Sequence, residues 1–174
     1  MPPVQIGDIL AIRGTSFFAR AILKATGNTV SHLGMIIAAA PGPDLVIEAL
    51  WRVQTRPLPI SIADAEKAYI LSDHSLNPAQ RNQLVSNACE FSADGYGWWD
   101  IGLQGADAIF HTTFFTDRFA WKLNRHPICS YLVARAYQQL GLTFGRTKVQ
   151  SITPADVYNF AVQYPEIYSV TQIK

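Results

Sequence analysis

The sequence predicts one domain that mixes helices with β-structure, and three features carry that expectation. The runs VSHLGMIIAA and LVIEALW flank PGPD, a turn signal, so residues 30–51 read as a β-hairpin. NPAQRNQLVSNACEFSADG has Asn77 as cap, Pro78 at its first position and Gly95 just past its end, which is the grammar of a helix. In CSYLVARAYQQLG, residues Cys129, Leu132, Val133, Ala136, Tyr137 and Leu140 recur with helical period, and Gly141 supplies the stop. At 174 residues the chain is long enough to bury a core without disulfides or structural metal, so residues 1–174 are expected to form a single domain.

Taken in order, GDILAIRG reads as a short strand. TSFFARAILKATG reads as a helix capped by Thr15 or Ser16, with Phe18, Ile22 and Leu23 near one face and Gly27 as its end. Arg20 and Lys24 stand on the other side, and a solvated face is the simpler account than contact with a membrane surface. In the first arm of the hairpin, Val30, His32, Gly34 and Ile36 are expected on one face, with Ser31, Leu33, Met35 and Ile37 on the other. Both faces are largely apolar, so this strand is expected inside a sheet. VQTRPLPISI reads as irregular, SIADAEKA as a short helix and AYILSD as a strand. The aromatic-rich residues 96–125 show no regular pattern. TPADVYNFA again opens on a cap and a proline, and EIYSVTQI reads as a closing strand.

Composition excludes several function classes. The formal net charge is +1 and no run of Lys and Arg occurs, so the electrostatic footprint of a nucleic-acid binder is absent. Charged residues make up 16% against roughly 25% in an average globular protein, which leaves room for an apolar substrate. The N-terminal MPPVQIGDILAIRG lacks the basic and apolar regions of a signal peptide, and no stretch is long enough to span a bilayer. The chain as written is expected to be soluble and cytoplasmic, or periplasmic or secreted if a leader has been removed.

The two cysteines form neither a disulfide scaffold nor a four-ligand zinc pattern. Cys89 is expected deep inside the helix that follows Asn77, far from either end, and reads as core filler. Cys129 follows Pro127 and Ile128 in the first turn of its helix. Free amides and the positive end of the helix dipole there favour a thiolate and could hold an oxyanion, although a plain start to the apolar stripe explains the residue equally well. His32 lies in an apolar strand beside Gly34, and Glu48 interrupts LVIEALW, where a carboxylate needs a donor. Whether Glu48 and His32 share a face depends on a single-residue choice of register. His126 and Cys129 are three apart, but no second ligand pair accompanies them, so no metal or other cofactor is expected. His74 and His111 read as loop or surface residues, and Asp8 as a turn or hydrogen-bonding residue.

The order GDILAIRG, SHLGMII, VIEAL and a late CSYLVARAYQQLG resembles the circularly permuted papain-like cysteine hydrolases of the NlpC superfamily, specifically the YiiX-like branch. The resemblance implies an α+β fold in which an antiparallel barrel-like sheet packs against a central helix that starts at the nucleophile. It also implies that Cys129 is the nucleophile with its backbone N–H as an oxyanion donor, that His32 is the base and that Glu48 is the third polar member. The superfamily suggests amide cleavage, as in cell-wall peptides, through an acyl-enzyme. Related acyltransferases of the lecithin–retinol type suggest a thioesterase, lipase or acyltransferase on fatty-acyl lipids as the alternative, and the aromatics between Tyr96 and Trp121 would suit a lipid chain. A non-catalytic module that holds a ligand in the same cleft is the third reading. The expected partner is therefore a small peptide or lipid substrate, with no nucleic acid.

Overall fold

A computed structural model describes residues 3–26, 28–50, 52–91 and 129–174. In chain order these form β1 (Ile9–Gly14), α1 (Phe17–Thr26), β2 (His32–Ala38), β3 (Leu45–Ala49), β4 (Val53–Pro57), α2 (Leu58–Ser61), β5 (Ala65–Asp73), α3 (Pro78–Cys89), α4 (Cys129–Gln138), a 3-10 turn (Val149–Ser151), α5 (Pro154–Gln163) and β6 (Tyr168–Gln172). The strands make one six-stranded sheet in the order β4-β3-β2-β1-β5-β6, antiparallel throughout. The class is α+β. Among the described residues the edge strands β4 and β6 do not pair, so hydrogen bonds do not close the sheet into a barrel.

Both faces of the inner strands are buried, which is why β1, β2 and β3 are apolar nearly throughout. One face carries Ile9, Ala11, Leu33, Met35 and Ile47 against Leu84 and Ala88 of α3, Leu132, Val133 and Ala136 of α4, and Val157 and Ala161 of α5. The opposite face carries Leu10, Ile12, Ile36 and Val46 against Leu58 and Ile62, at and just after the single turn of α2. His32 pairs with Ile12 and Gly34 with Leu10, so both lie toward this second face. Val30 does not follow them. It is buried with Leu33 and Met35 in the helix-covered core, because β2 begins only at His32 and the alternation does not extend back to it.

Helix ends follow the local chemistry of the chain. Asn77 and Gln80 form a reciprocal capping box on α3, and Thr153 and Asp156 form another on α5, each with proline in the first turn. Ser16 accepts the Ala19 N–H at the start of α1. Beyond α4, Gly141 adopts φ +77° and donates to Gln138 O, while Leu142 donates to Tyr137 O. These two bonds make a Schellman turn that needs a residue without a Cβ. Gly27 and Gly95, the other expected stops, lie outside the described residues, as do the side chains of Phe18 and Ile22.

Three expectations are corrected. VQTRP is not irregular but forms edge strand β4, in register with β3 from Leu45–Pro57 to Ala49–Val53. Pro57 terminates that strand at an edge, where its missing N–H costs no ladder bond. The short helix lies over Leu58–Ser61 rather than SIADAEKA, because Pro59 favours a first helical turn and Ala65 to Lys67 pair with β1. Cys89 is not deep within its helix: it is the last residue of α3, half-buried and packed against the core.

Gly34 is required by packing. A Cβ there would stand 2.6 Å from Val46 Cγ1, 3.2 Å from Ile47 O and 3.4 Å from Glu48 Cβ. The space beside the imidazole is thus filled by β3 itself. Gly34→Ala is expected to destabilise the fold by about 1–3 kcal/mol, as overpacking does, and to push Glu48 away from β2. Thermal denaturation measures the first effect and the His32 titration midpoint the second.

Candidate active site

Hairpin register decides the site. Gly34 stands opposite Glu48 and Ile36 opposite Val46, so Glu48 projects to the same side as His32. Glu48 Oε2 lies 2.9 Å from His32 Nε2. The carboxylate is 1% exposed and its other oxygen is also engaged: Ser61 Oγ donates to Oε1 at 2.9 Å and Arg56 Nη1 at 3.3 Å. These partners compensate for the desolvation of a buried charge.

The imidazole also acts on Cys129, the first residue of α4, through its charge and a side-chain hydrogen bond. With Nε2 directed at a carboxylate, the ring carries its proton there, and Nδ1 is the nitrogen left to exchange a proton with the thiol. The ladder between β2 and β3 stops at the Gly34–Glu48 pair. Just beyond it, the backbone amides of Leu33 and Ser130 act on the Cys129 sulfur and favour its thiolate. Cys129 belongs to the helix-covered core and His32 to the opposite face, and they meet where the two strands separate.

The electrostatics follow from this geometry. Burial disfavours the Cys129 thiolate, but the His32 charge, the His32 hydrogen bond and the two backbone amides outweigh it and lower the thiol pKa. Burial likewise disfavours the His32 imidazolium. Cys129 and Glu48 override it and raise His32 from 6.5 to about 10. Burial would raise the Glu48 pKa, yet His32, Ser61 and Arg56 bring it below its ordinary value. Cys129 and His32 thus each favour the charged form of the other. Cys89 has no such partner among the described residues, and burial pushes its thiol up.

The structure thus brings Cys129, His32 and Glu48 together. His74 is exposed at the end of β5. Pro127, Ile128, His111, His126 and the aromatic segment 96–125 lie outside the described residues. Ser61 and Arg56 were not singled out from sequence: Ser61 lay in a segment assigned to the wrong helix, and Arg56 in one read as irregular. Ser130, next to the nucleophile candidate, is fully buried, and among the described residues its hydroxyl has no partner.

No protein-family model matches the chain, and no curated protein matches it. Among solved structures, the crystal structure of metalloprotein yiiX from Escherichia coli O157:H7 aligns with a TM-score of 0.67 at 20% identity. The alignment covers 98% of this chain and 96% of that one. The fold is YiiX-like. In this chain, no three His, Cys, Asp or Glu side chains are grouped to hold a metal among the described residues. Both Glu48 oxygens are taken, one by His32 Nε2 and the other by Ser61 and Arg56, so Cys129, His32 and Glu48 do not fit a metal ion. No described helix is long and apolar enough to cross a membrane.

Proposed function

We propose that this chain is a papain-like cysteine hydrolase of permuted order that cleaves an amide bond, in a peptide of the cell-wall type, through Cys129, His32 and Glu48. The observation that carries this reading is a single imidazole that is bonded through Nε2 to a buried carboxylate and interacts with a helix-borne cysteine. A ligand-binding cleft has no use for a cysteine whose thiol pKa is lowered by a neighbouring imidazole, whereas covalent catalysis has.

In the proposed cycle the Cys129 thiolate attacks the carbonyl carbon, forming an S–C bond while the carbonyl π pair moves to oxygen. The Cys129 backbone N–H is assigned to that oxyanion. As the tetrahedral adduct collapses, the C–N bond breaks and the amine leaves with the proton of the His32 imidazolium. Water then attacks the thioester as His32 takes its proton. The S–C bond breaks, and the carboxylic acid departs from a regenerated thiolate. Glu48 stays ionised throughout and holds the ring with Nδ1 toward sulfur.

The test is turnover of short peptides with a γ-linked acidic residue alongside fatty-acyl esters, with intact-protein mass spectrometry to trap the acyl group. Peptide cleavage with a Cys129-bound adduct, reduced roughly 10³-fold or more in Cys129→Ala, is the expected result. Cleavage of the esters alone would move the reading to a lipid thioesterase or acyltransferase. No turnover and no adduct on either substrate class would leave a binding module.

A further inference from the structure

We infer that Ser61 and Arg56 are positioning residues for the His32 base, acting through Glu48 from two separate elements. The inference rests on the hydrolase reading, and it concerns residues that touch neither thiol nor imidazole.

Glu48 has two oxygens and the structure divides their duties. Oε2 faces His32 Nε2, while Oε1 receives Ser61 Oγ at 2.9 Å and Arg56 Nη1 at 3.3 Å. A carboxylate held on one oxygen only could turn about its last bond and present the wrong lone pair to the ring. Two donors on Oε1 prevent that rotation. Arg56 reaches Glu48 diagonally, since Arg56 pairs with Val46 while Glu48 pairs with Gln54, and alternate residues of β3 and β4 share a face.

Ser61 is delivered by the single turn of α2, which is pinned on several sides. Leu58 N–H donates to Asp44 O and Ile62 N–H to Leu58 O. The Lys174 ammonium clasps Ile62 O at 2.9 Å and Ala63 O at 2.7 Å. A hydroxyl on an exposed helix would wander, whereas one on this turn has a fixed origin. The division of labour follows from distance and screening. Both residues are half-buried, but Ser61 holds Oε1 at 2.9 Å against 3.3 Å for Arg56, whose charge solvent screens, so the Ser61 hydroxyl carries more of the orientation. Among the described residues, the charged or titratable groups facing this carboxylate are His32 from β2 and Arg56 from β4, with Cys129 of α4 beyond the imidazole.

The experiment follows the pH midpoint of iodoacetamide labelling at Cys129, and the titration of His32 by NMR, in wild type, His32→Ala, Ser61→Ala, Ser61→Thr, Arg56→Met and Arg56→Lys. Ser61→Ala is expected to raise the labelling midpoint by about one pH unit, a tenfold loss of rate on the acid side, and to lower the His32 midpoint. Ser61→Thr, which keeps the hydroxyl, restores both. Arg56→Met is expected to give a smaller shift in the same direction, reversed in Arg56→Lys. Melting curves run in parallel separate positioning from mere structure. Variants that melt early yet keep wild-type midpoints overturn the inference and leave the hydrolase reading standing. A wild-type midpoint no lower than that of His32→Ala overturns both.

Discussion

Replacing His32 with alanine is expected to abolish the acid-side reactivity of Cys129. In wild type the thiol pKa lies below its ordinary value because His32 supplies a positive charge and a hydrogen bond, against burial that works the other way. Removing the imidazole leaves burial in place and takes away its two strongest opponents, with only the Leu33 and Ser130 amides remaining against it. The thiol should then titrate at or above the unperturbed value of about 8.5, and labelling near pH 6 should fall about 100-fold or more. The sign is fixed by which form reacts: the thiolate persists as pH falls until the lowered pKa is crossed, so wild type keeps its rate to a lower pH than an ordinary thiol does. Substrate turnover adds a second limb. His32 must hold a proton for the leaving group, so turnover should decline as pH rises through the raised value of about 10. A bell-shaped turnover profile over a flat labelling profile between the limbs is the combined signature. An unshifted labelling curve in His32→Ala would remove the dyad.

The largest expected effect on stability lies away from the site. Asp8 is fully buried, and Arg81 of α3 is 7% exposed. Arg81 Nη1 donates to Asp8 Oδ1 at 2.9 Å and to Ile6 O at 3.0 Å, and Nη2 donates to Asp73 O. One guanidinium thus ties the entry to β1, the end of β5 and the first turns of α3. Arg81→Met leaves the Asp8 carboxylate buried beside carbonyls without its cation. Breaking a buried pair on one side typically costs about 3–5 kcal/mol, which for a chain of this size is a fall in melting temperature of about 10 °C or more. Adding Asp8→Asn to Arg81→Met should recover part of the loss, because the unpaired charge is gone. Chemical denaturation of the two single variants and the double variant closes the cycle. Additive losses would mean that the pair contributes no coupling.

The contrast between these two clusters shows how much could be read from the chain. Cys129 was legible because its helix announces itself: the apolar stripe has helical period, and Gly141 marks the stop with a Schellman turn. His32 was legible as a polar residue in an apolar run, and Glu48 as a carboxylate that needed a donor. Arg81 was not legible, since an arginine in a helix of low amphipathicity looks like any solvated residue until its partner, 73 positions away in sequence, is brought beside it. Ser61 and Arg56 were missed for a related reason. Pro57 and Pro59 suggested an irregular path, whereas one proline ends an edge strand and the other starts a single helical turn.

By itself the sequence determined the local elements: the hairpin around PGPD, the capped starts of α3 and α5, the apolar stripe of α4, and the order in which histidine precedes cysteine. These depend on periodicities and caps that span only a few residues. Only the tertiary structure decided that Glu48 faces His32, because a slip of one residue in the ladder would have turned it to the other side of the sheet. It alone placed Cys129 at the point where β2 and β3 separate, and gave Glu48 its donors from α2 and β4. A buried charge is stabilised by groups that are distant in sequence and near in space, and that nearness is set by how sheet and helices pack.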